Sequence, residues 1–156
     1  MSSHDEEQKA TDAGEQTLFE AIEACGLPDE ETFVVHRGPK CLALLNAYPY
    51  TSGHLLVVPR RARAALAELT EDEHAALWSM VRDAVAAVEA AYSPDGVNVG
   101  LNQGAAAGAG VPSHLHVHVL PRWSGDTNFM TTTADTRVLP EALGETWRRL
   151  VEAWPG

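Results

Sequence analysis

The segment His114-Leu115-His116-Val117-His118-Val119-Leu120 constrains this chain more than any other, because its strict alternation has a period of two. A strand satisfies that period and a helix does not, since successive side chains of a strand point to opposite faces. Three imidazoles therefore share one face, and Leu115, Val117 and Val119 share the other, the apolar face that a sheet buries against a helix. The rest of the sequence supplies partners for such a strand. Thr32 to His36 and Cys41 to Asn46 read as strands joined by the turn Arg37-Gly38-Pro39-Lys40. His54 to Val58 follows the turn-forming Tyr48 to Gly53, and Val97 to Leu101 precedes the histidine strand. Thr70-Glu71-Asp72-Glu73 has the form of a capping box. Ala76, Leu77, Met80, Val81, Ala84, Val85 and Val88 then recur at three and four residues until Ser93-Pro94-Asp95-Gly96, which predicts one long helix with a buried face. A short helix over Leu18, Phe19, Ile22 and Cys25 should end at Gly26-Leu27-Pro28, and Pro140 to Trp154 predicts a terminal helix. The expected fold is α+β: an antiparallel sheet of about five strands, a long helix packed across it and a C-terminal helix.

Charge divides the chain unevenly. Ten acidic residues and one lysine among the first 31 residues carry −9 of the net −11, and the remainder is nearly balanced. Residues 1–14 are polar and lack an apolar period, so they are expected to form a disordered acidic leader, with residues 15–156 a single domain. The one dense group of cations is Arg60, Arg61 and Arg63, too little for general affinity to nucleic acid, which needs clustered positive charge. No apolar run is long enough to span a bilayer, and the acidic N-terminus is unlike a signal peptide; a cytoplasmic protein with no membrane partner is expected. Cys25 and Cys41 are too few and too isolated for a disulfide framework or a C-x-x-C zinc site and read as small apolar residues.

A row of titrating rings contributes little packing that Val or Leu would not contribute better, so the three histidines point to chemistry. Two chemistries fit. Two or three imidazoles at alternate positions can bind zinc. Alternatively, one ring nitrogen attacks phosphorus while its neighbours orient it and donate to phosphate oxygens or the leaving group. The segment Asn102 to Gly110 enters the row with almost no side chains, so a ligand can approach its backbone closely. Such a loop suits a phosphate better than a metal, although it lacks the Gly-Lys-Ser/Thr of a P-loop.

His-x-His-x-His followed by two apolar residues resembles the signature of the histidine triad (HIT) family of nucleotide hydrolases and transferases. Asn46 and Gly53-His54-Leu55-Leu56-Val57-Val58-Pro59 resemble the family's upstream strand, and the similarity runs from about Thr32 to Leu150. Pro121 to Phe129 resembles the bacterial branch that cleaves diadenosine tetraphosphate by hydrolysis or phosphorolysis. The resemblance implies that His116 is the nucleophile and becomes nucleotidylated. His118 would then donate to phosphate oxygens or the departing group, and His114 would sit behind the nucleophile, linked to His54. It also implies that Asn46 holds ribose hydroxyls, that Asn102 and the backbone of Gly108, Ala109 and Gly110 contact phosphate, and that Trp123 lies near the polyphosphate. Arg122 reads as a solvated structural cation. Phe33 and Val35 are candidates for a purine pocket.

One departure bears on the second step. Members that use inorganic phosphate as acceptor carry a Gly-Ser pair where this chain has Ala109-Gly110-Val111, and Ser113 lies close to the strand. Water is therefore expected as acceptor, with a diadenosine tetraphosphate phosphorylase as the alternative. No cofactor or metal is expected to be required, with Mg²⁺ accompanying the polyphosphate. The partners expected are a small-molecule nucleotide and a second copy of the chain, in a dimer or higher oligomer. Two readings of other classes compete: a zinc hydrolase with His114, His116 and His118 as ligands, and a nucleotide-binding module without turnover.

Overall fold

The computed structural model describes residues 16–126 and 141–156, and the expected leader at residues 1–14 lies outside them. Among the described residues five strands form one sheet: β1 (Val34–Arg37), β2 (Cys41–Leu45), β3 (Leu55–Pro59), β4 (Gly96–Leu101) and β5 (Val117–Arg122). Their order across the sheet is β1-β2-β3-β5-β4, with every neighbouring pair antiparallel. The meander β1-β2-β3 follows from the two short turns. β5 then inserts between β3 and β4, which puts the histidine strand inside the sheet and leaves β4 as an edge.

Among the described residues four α-helices flank the sheet: α1 (Leu18–Ala24), the single turn α2 (Asp29–Thr32), α3 (Glu71–Tyr92) and α4 (Leu143–Ala153). Thr70 caps α3 as the sequence predicts, accepting from the Glu73 N–H while the Glu73 carboxylate reaches back to the Thr70 N–H. Thr17 and Glu20 build the same reciprocal cap at α1. α4 begins at Leu143, so the Pro140 start expected for it lies outside the described residues. Between α2 and β1, Phe33 sits in the left-handed region at φ 59° and turns the one-turn helix into the strand. β1 consequently starts at Val34, two residues later than expected.

The two faces of the sheet are covered by different parts of the chain. On one, Ala43, Leu45, Leu55, Val57, Val117 and Val119 pack against Leu77, Val81, Ala84 and Val88 of α3 and Leu150 of α4. On the other, Val34, Leu42, Leu44, Leu56 and Val58 pack against Phe19 and Ile22 of α1 and Val111 of the glycine-rich loop. Leu56 pairs with His118 across β3 and β5, so this second face is the histidine face. Trp147 Nε1 donates to the Val34 carbonyl at 2.8 Å and covers part of the β1 edge. Among the described residues no helix is long and apolar enough to cross a membrane.

Candidate active site

Regular pairing in the histidine strand begins only at Val117, three residues later than the alternation predicts. His114 and His116 precede the ladder, yet the alternation persists, and both are buried, at 1% and 5% exposure. His116 and His118 stand with ring centroids 5.1 Å apart. His118 is opposite Leu56 on one side and Gly100 on the other, and Gly100 has open space where a side chain would stand.

The hydrogen bonds determine which nitrogen of each ring carries a proton. A carbonyl only accepts, so the contact of His116 Nδ1 with the His114 carbonyl at 3.0 Å requires Nδ1–H and leaves Nε2 a lone pair. His114 Nε2–H donates to the Pro59 carbonyl at 2.6 Å, and the Thr17 hydroxyl, 2.6 Å from Nδ1, supplies the opposite bond. The Tyr50 N–H donates to His54 Nδ1 at 3.2 Å, so His54 Nε2 carries the proton and gives it to His118 Nδ1 at 2.8 Å. His118 is thereby left with its proton on Nε2, which has no protein partner among the described residues. Two neighbouring rings, their centroids 5.1 Å apart, thus carry open nitrogens of opposite character, a lone pair on His116 and a donor on His118.

All four rings are held neutral. Burial pushes His54 down to about 3, with the neighbouring His118 and His116 adding to it. Burial also lowers His114 and His116, opposed in each by the carbonyl that its ring N–H meets, and it lowers His118, with His116 contributing. Neutral rings are what a nucleophile needs, because a protonated imidazole has no lone pair to offer.

One expected link is corrected. His54 joins His118, not His114, because β3 carries His54 to the side of β5 where His118 stands, while His114 lies at the Pro59 end of the same strand. Asn46 receives the Tyr48 N–H on Oδ1 at 2.9 Å, and its own backbone N–H donates to the His54 carbonyl, so it braces the turn that precedes His54. Asn102 Nδ2 reaches the Gly108 carbonyl at 3.5 Å. The N–H groups of Gly108 and Ala109 bond within the loop, to Ala105 and Gly104. Of the three loop residues, only the Gly110 N–H has no protein acceptor among the described residues. Trp123 packs edge-on against Tyr92 of α3, at 6.4 Å and 79°, and Arg122 is bound to Asp126 and Asn98. Phe33 and Val35, the purine-pocket candidates, pack in the α3-side core, away from the histidine row. Residues that the sequence reading missed are Thr17, Phe19 and Tyr50: the Phe19 ring lies 5.1 Å from His114 and 5.4 Å from His116, and the Tyr50 ring 4.8 Å from His54. The Thr17-x-x-Glu20 capping pattern was a legible signal for the first of these.

The chain matches the HIT domain family over residues 28–125 and belongs to that family. It is 46% identical over 128 residues to the AP-4-A phosphorylase of Mycobacterium tuberculosis, across 82% of this chain and 66% of that protein, slightly less than two thirds of the relative's length. It is 38% identical over 93 residues to the asymmetrical bis(5'-nucleosyl)-tetraphosphatase of Schizosaccharomyces pombe, across 60% of this chain and 50% of that one. Among solved structures, a zinc-bound histidine triad family protein from Mycobacterium smegmatis superposes with a TM-score of 0.71 at 26% identity, covering 87% of this chain and 91% of its own.

Proposed function

We propose that the protein cleaves a phosphoanhydride bond of a dinucleoside polyphosphate such as diadenosine tetraphosphate, through a nucleotidyl group carried on His116. The observation that carries this reading is the opposite polarity of the two open ring nitrogens. In the first step His116 Nε2 forms a bond to the α-phosphorus as the bond to the bridging oxygen breaks and its electron pair leaves with the polyphosphate. His116 becomes positively charged, and its Nδ1–H stays on the His114 carbonyl, which stabilises that charge. His118 Nε2–H is suited to hydrogen-bond the departing oxygen without surrendering its proton, because a terminal phosphate leaves as an anion near neutral pH. In the second step water attacks phosphorus, the P–N bond returns its electrons to Nε2, and the water's proton passes to solvent.

The same donor set argues against a three-histidine zinc centre. Both ring nitrogens of His114 and of His54 are engaged, as is Nδ1 of His116 and of His118, which leaves two ring nitrogens where a structural or catalytic site needs three or four ligands. Mg²⁺ enters this reading bound to the substrate's phosphates. A dimer or higher oligomer remains part of the proposal, with the exposed edge β4 open to a second copy of the chain.

Inorganic phosphate as the second-step acceptor is favoured by the name of the Mycobacterium tuberculosis relative. Water is favoured by Ala109-Gly110-Val111, which offers no hydroxyl. Incubation with diadenosine tetraphosphate in ¹⁸O-water, with and without phosphate, separates them: ADP beside ATP marks phosphorolysis, labelled AMP beside ATP marks hydrolysis. Mass spectrometry of protein trapped during turnover should find AMP on His116, activity should survive chelator treatment, and His116→Asn should abolish both adduct and turnover. Wild-type turnover by that variant refutes the reading.

A further inference from the structure

We propose that Thr17 is a positioning residue for the histidine row: its hydroxyl, given to His114 Nδ1, locks His114 as the Nε2–H tautomer and so holds the carbonyl that orients His116. The part concerning His116 rests on the function proposed above; the part concerning His114 rests on geometry alone. Thr17 is 4% exposed and meets His114 at 2.6 Å across 97 positions of sequence. The Pro59 carbonyl commits the His114 proton to Nε2, leaving Nδ1 as a buried lone pair that needs a donor where water has little access. Thr17 can be that donor because its bond as N-cap of α1, taking the Glu20 N–H at 3.3 Å, uses an oxygen lone pair and not the hydroxyl proton. Its hydroxyl proton is therefore available to His114.

The rest of α1 is arranged around this bond. Phe19, one step into the helix, stands edge-on to His114 at 86° and tilted over His116, forming the wall behind both rings. At the far end Glu23 pairs with Arg60, whose Nε donates to the Gly38 carbonyl at 2.9 Å, so the helix is also tied to the β1–β2 turn. A helix that merely covered the sheet would need Phe19 and Ile22 but no buried polar bond to a histidine. With its ring pinned by Pro59 on one side and Thr17 on the other, His114 cannot turn, and its main-chain carbonyl remains aimed at His116 Nδ1.

The test compares Thr17→Val, Thr17→Ser and Glu20→Ala with wild type, reading kcat and KM for diadenosine tetraphosphate and the imidazole tautomers by long-range ¹⁵N–¹H NMR. Thr17→Val should lower kcat roughly tenfold or more with KM changed less than about twofold, and should shift the His114 and His116 ring signals. Thr17→Ser should restore both. Glu20→Ala, which loses the reciprocal half of the cap but keeps the hydroxyl, should lower Tm and leave kcat near wild type. The proposal fails if Thr17→Val turns over at the wild-type rate, if Glu20→Ala slows turnover as much as Thr17→Val, or if wild-type His114 proves to be the Nδ1–H tautomer. That last measurement needs no variant and decides the matter even if Thr17→Val does not fold. Absence of turnover by the wild type would overturn the proposed function, and the spectra would still judge the bond.

Discussion

Burying four neutral imidazoles makes the fold acid-labile in a range where carboxylates contribute little, and His54 shows by how much. It is 1% exposed, and its folded value of about 3 lies well below the 6.5 of an unperturbed histidine. Between those values the unfolded chain binds a proton at residue 54 that the folded protein does not, so stability rises with pH and is lost as pH falls. Each pH unit below 6.5 approaches about 1.4 kcal/mol, and the interval from pH 7 to pH 5 integrates to about 2 kcal/mol for His54 alone. His114, His116 and His118 shift in the same direction and steepen the loss. Glu73, held down to about 2 chiefly by Arg61, loses its contribution as pH falls from the ordinary carboxylate range toward that value, below this interval. His54→Gln is the informative perturbation, because Gln can accept the Tyr50 N–H and donate to His118 without titrating. Urea unfolding at half-unit steps from pH 7 to pH 5 should show a wild-type decline that exceeds the variant's by about 2 kcal/mol. Equal declines in the two proteins, or a wild type more stable at pH 5 than at pH 7, would refute the reasoning.

Two further perturbations test how the site is held. Gly53 stands at φ +83°, where an added Cβ would lie 2.8 Å from the Tyr92 ring, and that ring is itself bound to Glu141 and stacked under Arg149. Gly53→Ala should cost roughly 1–3 kcal/mol in urea unfolding and, by displacing the adjacent His54, should reduce kcat as well. Trp147→Phe keeps most of the ring but removes the donor to the Val34 carbonyl, so it should lower stability by about 1 kcal/mol in the same assay while leaving kcat unchanged.

Local patterns carried most of the fold into view. The period-two run around His116, the capping box at Thr70 and the turn residues near Gly38 each specify their element without help from distant parts of the chain, and each element is where they put it within a few residues. Boundaries moved where tertiary contacts decide them. β1 waits for Phe33 to complete a left-handed turn, and the ladder of β5 starts at Val117, opposite Leu101 at the end of β4. The pairing of His54 with His118 depends on the register between β3 and β5, which nothing in either segment specifies. Trp123 shows the same limit: after the last paired residue of β5, its ring goes to Tyr92 at the end of α3. Thr17 was readable as a helix cap, but its second bond joins positions 97 residues apart and leaves no local trace.

The alternation makes three histidines equivalent in the sequence, and their positions along the strand make them different. His116 lies just before the ladder, where the carbonyl two residues back is available to its Nδ1–H, so its ring is fixed by its own backbone and presents a lone pair. His118 lies inside the ladder between β3 and β4, and its Nδ1 instead meets a side chain delivered by β3, the neutral His54 that can only donate from Nε2. His118 must therefore present a proton. Adjacent imidazoles on one face thus take opposite hydrogen-bonding character from the partner each Nδ1 meets, a carbonyl for His116 and a donating ring nitrogen for His118.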